Sequence, residues 1–403
     1  MHKVDIIWAK GGPDIRPEQN LHNNTLLYHA IEGFENVLFA EAEAKYAYRG
    51  VLTEIGDYYR RFLATVPISE GNSYLIDIFR IKGAKKTEYI LKGSPEPYSL
   101  LTPYDMVEVN YHIGPEMVIW PPAPATDQQK IHVFAETLIN ESLMATFDYG
   151  DVKVRIHMAA CEDTKLMTGK ALKSIKKGGL KEYLILAREG EASEEHAYLA
   201  VHESFRENSQ IKSITELKVN GKGTAKAMKI ELEQGIKDYI IQTIDEGPQY
   251  PRYTVSGNFP ITFSGRSVHI RTKKDKISWM QAVQAAELLA GGIQLIEKGC
   301  PTEFRGIIVR VNRMAKGAKE NSFIIDGKIP EGNNFANQTI IVTWKNGWKW
   351  GFKIKFAKKN TIILEDDPGF DVLGEKIYNR YYPIGEYKGP ATFLISGYAE
   401  WRK

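Results

Sequence analysis

The feature that most constrains this chain is a long succession of short runs in which apolar and polar residues alternate, each closed by Gly, Asn or Pro. Residues 151–158 show it plainly: Val152, Val154, Ile156 and Met158 fall on one side, and Lys153, Arg155 and His157 on the other. Successive side chains of a strand point to opposite faces, so this spacing predicts a half-buried strand. Runs at 183–188, 196–202, 214–219, 227–232, 238–243 and 267–271 continue the pattern, with turn signals at Glu189-Gly190, Asn220-Gly221 and Glu246-Gly247 between them. The expectation is an all-β chain dominated by a large antiparallel sandwich. Residues 279–289 are ambiguous. Their Ala, Gln and Leu content favours a helix, whereas their setting favours a strand.

The aromatic-rich stretch 46–93 reads as several consecutive strands. It contains Tyr46-Ala-Tyr48-Arg49, then Tyr58-Tyr59-Arg60-Arg61-Phe62, then a turn at Glu70-Gly71-Asn72. An apolar run at 73–81 follows with Asp77 and Arg80 embedded in it, and another run at 87–91. The Pro-rich segment 120–127 is a linker or crossing loop. From about Cys300 a smaller unit begins, with strands at 306–311, 322–326, 340–344, 361–365 and 391–399. Asn346-Gly347 has the chemistry of a two-residue hairpin turn. In its return strand Trp348, Trp350, Phe352, Ile354 and Phe356 share one face, with Lys349, Lys353 and Lys355 on the other. Such a stripe fits either core packing or a stacking platform for sugars or bases. The predicted organisation is a large antiparallel β-sandwich over residues 1–300, followed by a smaller antiparallel β domain over 301–403.

Charge and motifs exclude several function classes. The 53 basic residues nearly balance the 50 acidic ones, so no global field draws the chain onto nucleic acid, although a local basic groove for an acidic sugar remains open. No apolar run reaches the roughly 18 residues of a membrane span, and no secretory signal peptide is visible in the first ten residues. The two cysteines, Cys161 and Cys300, match no zinc or redox spacing and read as free thiols. Gly169-Lys170-Ala171 lacks the remaining parts of a phosphate loop. His196 and His202 share a strand face but lie about 20 Å apart, too far to hold one ion. His202 and Glu203 therefore read as structural.

One constellation carries chemistry: His22-Asn23-Asn24-Thr25, Tyr48-Arg49 and the residues 58–61. Eliminative cleavage beside a uronic acid needs three things. The sugar carboxylate must be neutralised by Asn, Arg, His or a metal, a base must reach the C5 proton, and Tyr or His must protonate the leaving oxygen. Residues of these types gather here.

At these residues the chain resembles the heparinase II/III-like polysaccharide lyases, in the β-rich part that follows their N-terminal helical toroid. His22-Asn23-Asn24-Thr25-Leu-Leu-Tyr28 is similar to the family's His-Asn-(Ser/Thr) segment. Tyr48, the Arg60-Arg61-Phe62 run and residues 74–82 are similar to the strands that succeed it. Ala200-Val-His202-Glu203-Ser-Phe205 is similar to its His-Glu-Pro-Tyr strand. The resemblance implies β-elimination of acidic, uronic-acid-containing polysaccharides such as glycosaminoglycans, in the periplasm or outside the cell. It places Asn23, Tyr48, Arg49 and Arg60 nearest the sugar. It also implies a structural zinc with His22 as a ligand, for which His2 and Asp5 are the available partners. The chain departs from the family in three places. The toroid with its main catalytic residues is missing, Thr87-Glu88-Tyr89 and Lys92-Gly93 replace a His-Asp-Tyr and a His-Gly, and His-Glu-Pro-Tyr has become His-Glu-Ser-Phe. The expectation is thus one wall of a cleft, inactive without a helical toroid domain or subunit, with the catalytic residues themselves unknown. The competing expectation is a non-catalytic carbohydrate-binding or structural β-sandwich module.

Overall fold

A computed structural model describes residues 25–30, 37–43, 58–69, 71–93, 99–115, 130–159, 161–172, 180–245, 250–257, 259–330, 335–345, 348–380 and 384–403. His22, Asn23, Tyr48, Arg49, the segment 120–127 and the Asn346-Gly347 turn lie outside them. Among the described residues the fold is all-β, built of antiparallel sheets with two short 3-10 turns at Glu233–Gly235 and Met314–Lys316. The chain divides into two compact units. Of the described residues, 43, 58–61 and 74–215 belong to one, and 25–42, 62–73 and 216–403 to the other.

The first unit is a sandwich. One sheet places Tyr58–Ser69, Asn72–Lys82, Glu195–Phe205, Lys153–Ala159, Leu143–Asp148 and Ser99–Leu101 side by side, the first two strands running on into the second unit. The facing sheet runs Lys86–Lys92, Leu180–Glu189, Thr164–Leu172, Lys130–Ile139, Val107–Pro115. Phe79, Phe147, Met158 and Tyr198 from the first meet Tyr89, Leu166, Leu184 and Leu186 from the second in one buried cluster. The second sheet carries another apolar cluster, with Val133, Met167, Tyr183 and Ile185 among it. Tyr183 to Leu186 are all fully buried, so burial on both faces erases the alternation that a one-sided strand would show. His157 differs from its sequence reading for a related reason. It stands across from Val201 and close to Glu203, and this end of its strand is covered on both sides, so the ring is 5% exposed.

In the second unit the ambiguous residues 279–289 form most of a 15-residue strand, Lys276–Ala290. This strand pairs with Ile261–Lys273 along one edge and with Ile293–Ile296 and Tyr398–Arg402 along the other. Its helix-favouring residues are explained by what they touch. Gln281 donates to the Tyr398 hydroxyl at 2.6 Å, Gln284 donates to Ser396 Oγ at 3.0 Å, and Glu287 accepts both arms of Arg252 at 2.9 Å. Partners across the sheet override local propensity.

The remaining strands close a six-stranded barrel in the order Glu303–Asn312, Ser322–Ile325, Thr361–Leu364, Lys349–Lys358, Thr339–Thr343, Ala391–Ser396. A three-stranded sheet of Phe370–Leu373, Lys376–Asn379 and Gly385–Lys388 accompanies it. Trp344 and Trp348 are buried in the barrel core with ring centroids 5.6 Å apart, and Trp350 packs against them. The tryptophan stripe is therefore core packing. Phe356 leaves the stripe because the register slips between Ile354 and Phe356. The bulge turns Phe356 outward, where it is 40% exposed, and Ala357 takes the inward place. From Gly397 the chain leaves the barrel to add its last strand beside Lys276–Ala290.

Candidate functional site

The sandwich buries one group of ionisable side chains against expectation. In Asn72–Lys82 the parity that points Phe79 and Ile81 into the core also points Asp77 inward, where it is fully buried. A carboxylate is stable there only if it is paired and hydrogen-bonded. Arg61, on the neighbouring strand, supplies both: its Nε lies 2.9 Å from Asp77 Oδ1 and its Nη2 2.5 Å from Oδ2. The planar guanidinium matches a carboxylate in this forked geometry. From the facing sheet, Tyr89 donates its hydroxyl to Asp77 Oδ2 at 2.7 Å. From Glu195–Phe205, His202 places Nε2 3.0 Å from the Tyr89 hydroxyl and 3.6 Å from Asp77 Oδ2. His202 stands two residues beyond Ala200, the direct cross-strand partner of Asp77.

The electrostatics follow from this arrangement. Burial acts to raise the Asp77 carboxyl, but Arg61 and then His202 override it and hold the group well below the usual carboxylate range. Burial, reinforced by the Asp77 charge, pushes the Tyr89 phenol well above its ordinary value. Burial opposes the charge of Arg61, and Asp77 more than compensates, so Arg61 stays a cation. Tyr89 thus keeps its proton and spends it on Asp77. Its oxygen can then only accept from His202, which makes Nε2 a donor and turns Nδ1 away from the pair. Asp77, Tyr89 and His202 form a relay running from the core to the surface, where the His202 side chain is 17% exposed. Arg61 reaches the same rim, 25% exposed, and its fork with Asp77 leaves Nη1 outside the pair. An imidazole whose Nε2 is fixed as a donor can, when Nδ1 is unprotonated, take a proton there from a carbon acid whose carboxylate a neighbouring cation binds.

Of the residues singled out from sequence for the sugar, Arg60 is the one described. It points away from Arg61 by strand parity, lies 9% exposed, and has Glu43 Oε1 3.3 Å from its Nε. Glu203 is a tie. Buried against the opposite face from His202, it accepts the Ser209 hydroxyl at 2.6 Å, the Ile211 amide at 3.2 Å and the Gln210 amide, fastening the turn after its strand. His196 is occupied elsewhere, its Nδ1 2.7 Å from the Thr87 hydroxyl, which also contacts Tyr198. Sequence reasoning included Arg61 in the constellation at 58–61 but did not assign Asp77 or Tyr89 to a site. The signal was a single acid at the inward parity of a strand whose other residues from Tyr74 to Ile81 carry no charge except Arg80, on the opposite parity.

No group of three His, Cys, Asp or Glu among the described residues could hold a metal ion. His22, the residue implied as a zinc ligand, lies outside them. Cys161 is buried and Cys300 exposed, both as free thiols. Among the described residues no helix is long and apolar enough to cross a membrane. No protein-family model matches the chain, and no curated protein matches it.

Proposed function

We propose that this chain is the β-sheet portion of a polysaccharide lyase of the heparinase II/III-like kind, acting on uronic-acid-containing polysaccharides by β-elimination. The observation that carries the reading is the relay from Asp77 through Tyr89 to His202, with Arg61 beside it at the rim. In this reading Arg61 Nη1 binds the uronate carboxylate and stabilises the charge that develops when C5 loses its proton. His202 Nδ1 accepts that proton. The electron pair of the broken C–H bond forms the C4–C5 double bond, and the C4–O bond breaks. The leaving oxygen takes its proton from a group supplied by a helical toroid, so the chain alone binds substrate without turning it over. The resemblance adds Asn23, Tyr48 and Arg49 as sugar contacts and His22 as the ligand of an organising zinc, whereas Arg60, facing away from Arg61, stands outside this wall.

A second reading is favoured by one fact: Asp77 already neutralises Arg61. A site with so little free charge suits binding better than catalysis, and the chain would then be a carbohydrate-binding module. The experiment measures two things on the full chain and on His202→Asn. These are retention by chondroitin, heparan and alginate in affinity electrophoresis, and the ultraviolet absorbance of the unsaturated uronate product, with and without an added helical domain. The lyase reading expects equal binding by both proteins and product only from the native chain with the added domain. Binding without product in every combination supports the module, and no binding to any uronate polymer sinks both.

A further inference from the structure

The outermost strand of the first unit's second sheet, Val107–Pro115, pairs among the described residues only with Lys130–Ile139. Such an edge presents unpaired backbone groups, and folded sheets secure it by some device. The register slips twice along it, between Glu108 and Tyr111 and again between Ile113 and Pro115. Irregularities of this kind re-aim side chains at sheet edges. In the regular span between the two slips, His112 stands directly across from His132. Their rings are stacked, with centroids 5.1 Å apart and planes 29° from parallel. His112 is exposed and His132 half-buried, so the pair serves no core.

The nitrogens of this pair are available. His132 Nε2 lies 2.9 Å from Asn110 Oδ1, an oxygen that can only accept, so Nε2 donates and the neutral ring keeps its lone pair on Nδ1. Asn110 itself sits in the first slip. Metal-binding histidines commonly rest their other ring N–H on a carbonyl in this way, which fixes the ring and aims its lone pair. Among the described residues, neither His132 Nδ1 nor either nitrogen of His112 has a hydrogen-bond partner. Lys170, across from His132 on its other side, is drawn aside to Glu182 at 3.2 Å and over the Phe134 ring. Two nitrogens each about 2.0–2.1 Å from one tetrahedral ion stand roughly 3.3 Å apart. Rings with centroids 5.1 Å apart reach that separation by small rotations of their side chains.

We propose that His112 and His132 form a two-histidine site for a divalent transition metal ion of the zinc and copper kind, with water in the remaining positions, and that the ion clips the edge strand to its neighbour. Imidazole suits these ions, whereas magnesium and calcium prefer oxygen. The site draws on neither His22 nor the His202 relay. The test is calorimetric titration of the metal-stripped full chain with Zn²⁺, with Mg²⁺ as comparison, and NMR during addition of Cu²⁺, which broadens the signals of protons near it. The native chain should bind Zn²⁺ and not Mg²⁺, and Cu²⁺ should broaden the ring signals of His112 and His132 together. Asn110→Ala, which keeps both ligands, should weaken Zn²⁺ binding about tenfold. His112→Ala and His132→Ala should each weaken it further, and His202→Asn should leave it unchanged. Zn²⁺ should also slow amide hydrogen exchange in Val107–Pro115 but not in Lys86–Lys92, the opposite edge of the same sheet. Undiminished Zn²⁺ binding by His112→Ala, or Cu²⁺ broadening that spares both rings, would overturn the site. Unchanged exchange in Val107–Pro115 would overturn the clip.

Discussion

Each unit of this protein buries an aspartate with an arginine and a histidine, and the two clusters differ where it matters for chemistry. In the second unit Asp238 takes Arg271 in a fork at 2.8 and 2.7 Å and His269 Nε2 at 3.0 Å. Arg271 also donates to the Pro67 carbonyl at 2.8 Å, and its guanidinium and that of Arg402 lie over the Trp279 ring. His269 is wholly buried and its Nδ1 has no hydrogen-bond partner. In the first unit a tyrosine stands between acid and histidine, and the histidine reaches solvent. The same three residue types make a fastening in one place and a route for a proton in the other, and access to water separates the two.

Four changes test that contrast. The largest effect is expected from Asp238→Asn, which takes the carboxylate from the half-buried Arg271 and leaves its charge uncompensated there. A loss of about 3–5 kcal/mol, read from chemical denaturation, is the usual cost of breaking a buried pair. Asp77→Asn should cost less, about 2–3 kcal/mol, because Arg61 is more exposed than Arg271 and can regain water. A larger loss at Asp77 than at Asp238 would reverse the ranking.

Next comes pH. Both aspartates are held below their ordinary value of 3.8, so their contribution is present above it and disappears as pH falls through the lower folded values. Burial lowers His269 from 6.5, outweighing Asp238 beside it. Below that pH the unfolded chain binds the extra proton, so stability should start to decline near pH 6.5. His269→Gln should flatten the slope just below pH 6.5 while leaving the acid limb. An unchanged slope would mean that His269 is protonated in the fold. The smallest effect on stability, within about 0.5 kcal/mol, is expected for His202→Asn at the rim. A large loss there would make the relay a second fastening.

Much of this fold was legible in the chain. One-sided strands such as Tyr58–Ser69, whose burial alternates residue by residue, and the hairpin around Gly71 announce themselves by period and turn chemistry. What was hidden depends on tertiary partners. Lys276–Ala290 has the composition of a helix because Gln281, Gln284 and Glu287 were chosen for bonds to residues far along the chain or across the sheet. Phe356 fits the inward period and faces solvent because one bulge shifts the count. At the site, Arg60 and Arg61 are equivalent by composition. Only the face each occupies sends one to Glu43 and the other to Asp77.

The strand Tyr398–Arg402 lies beside Lys276–Ala290 although the whole barrel intervenes between them in the chain. The barrel is in effect an insert between two neighbouring strands. During synthesis that edge of the sheet must wait for the ribosome to pass Arg402, and a chain cut after Ser396 would leave the flank beside Met280 and Ala282 bare and prone to pair with another copy.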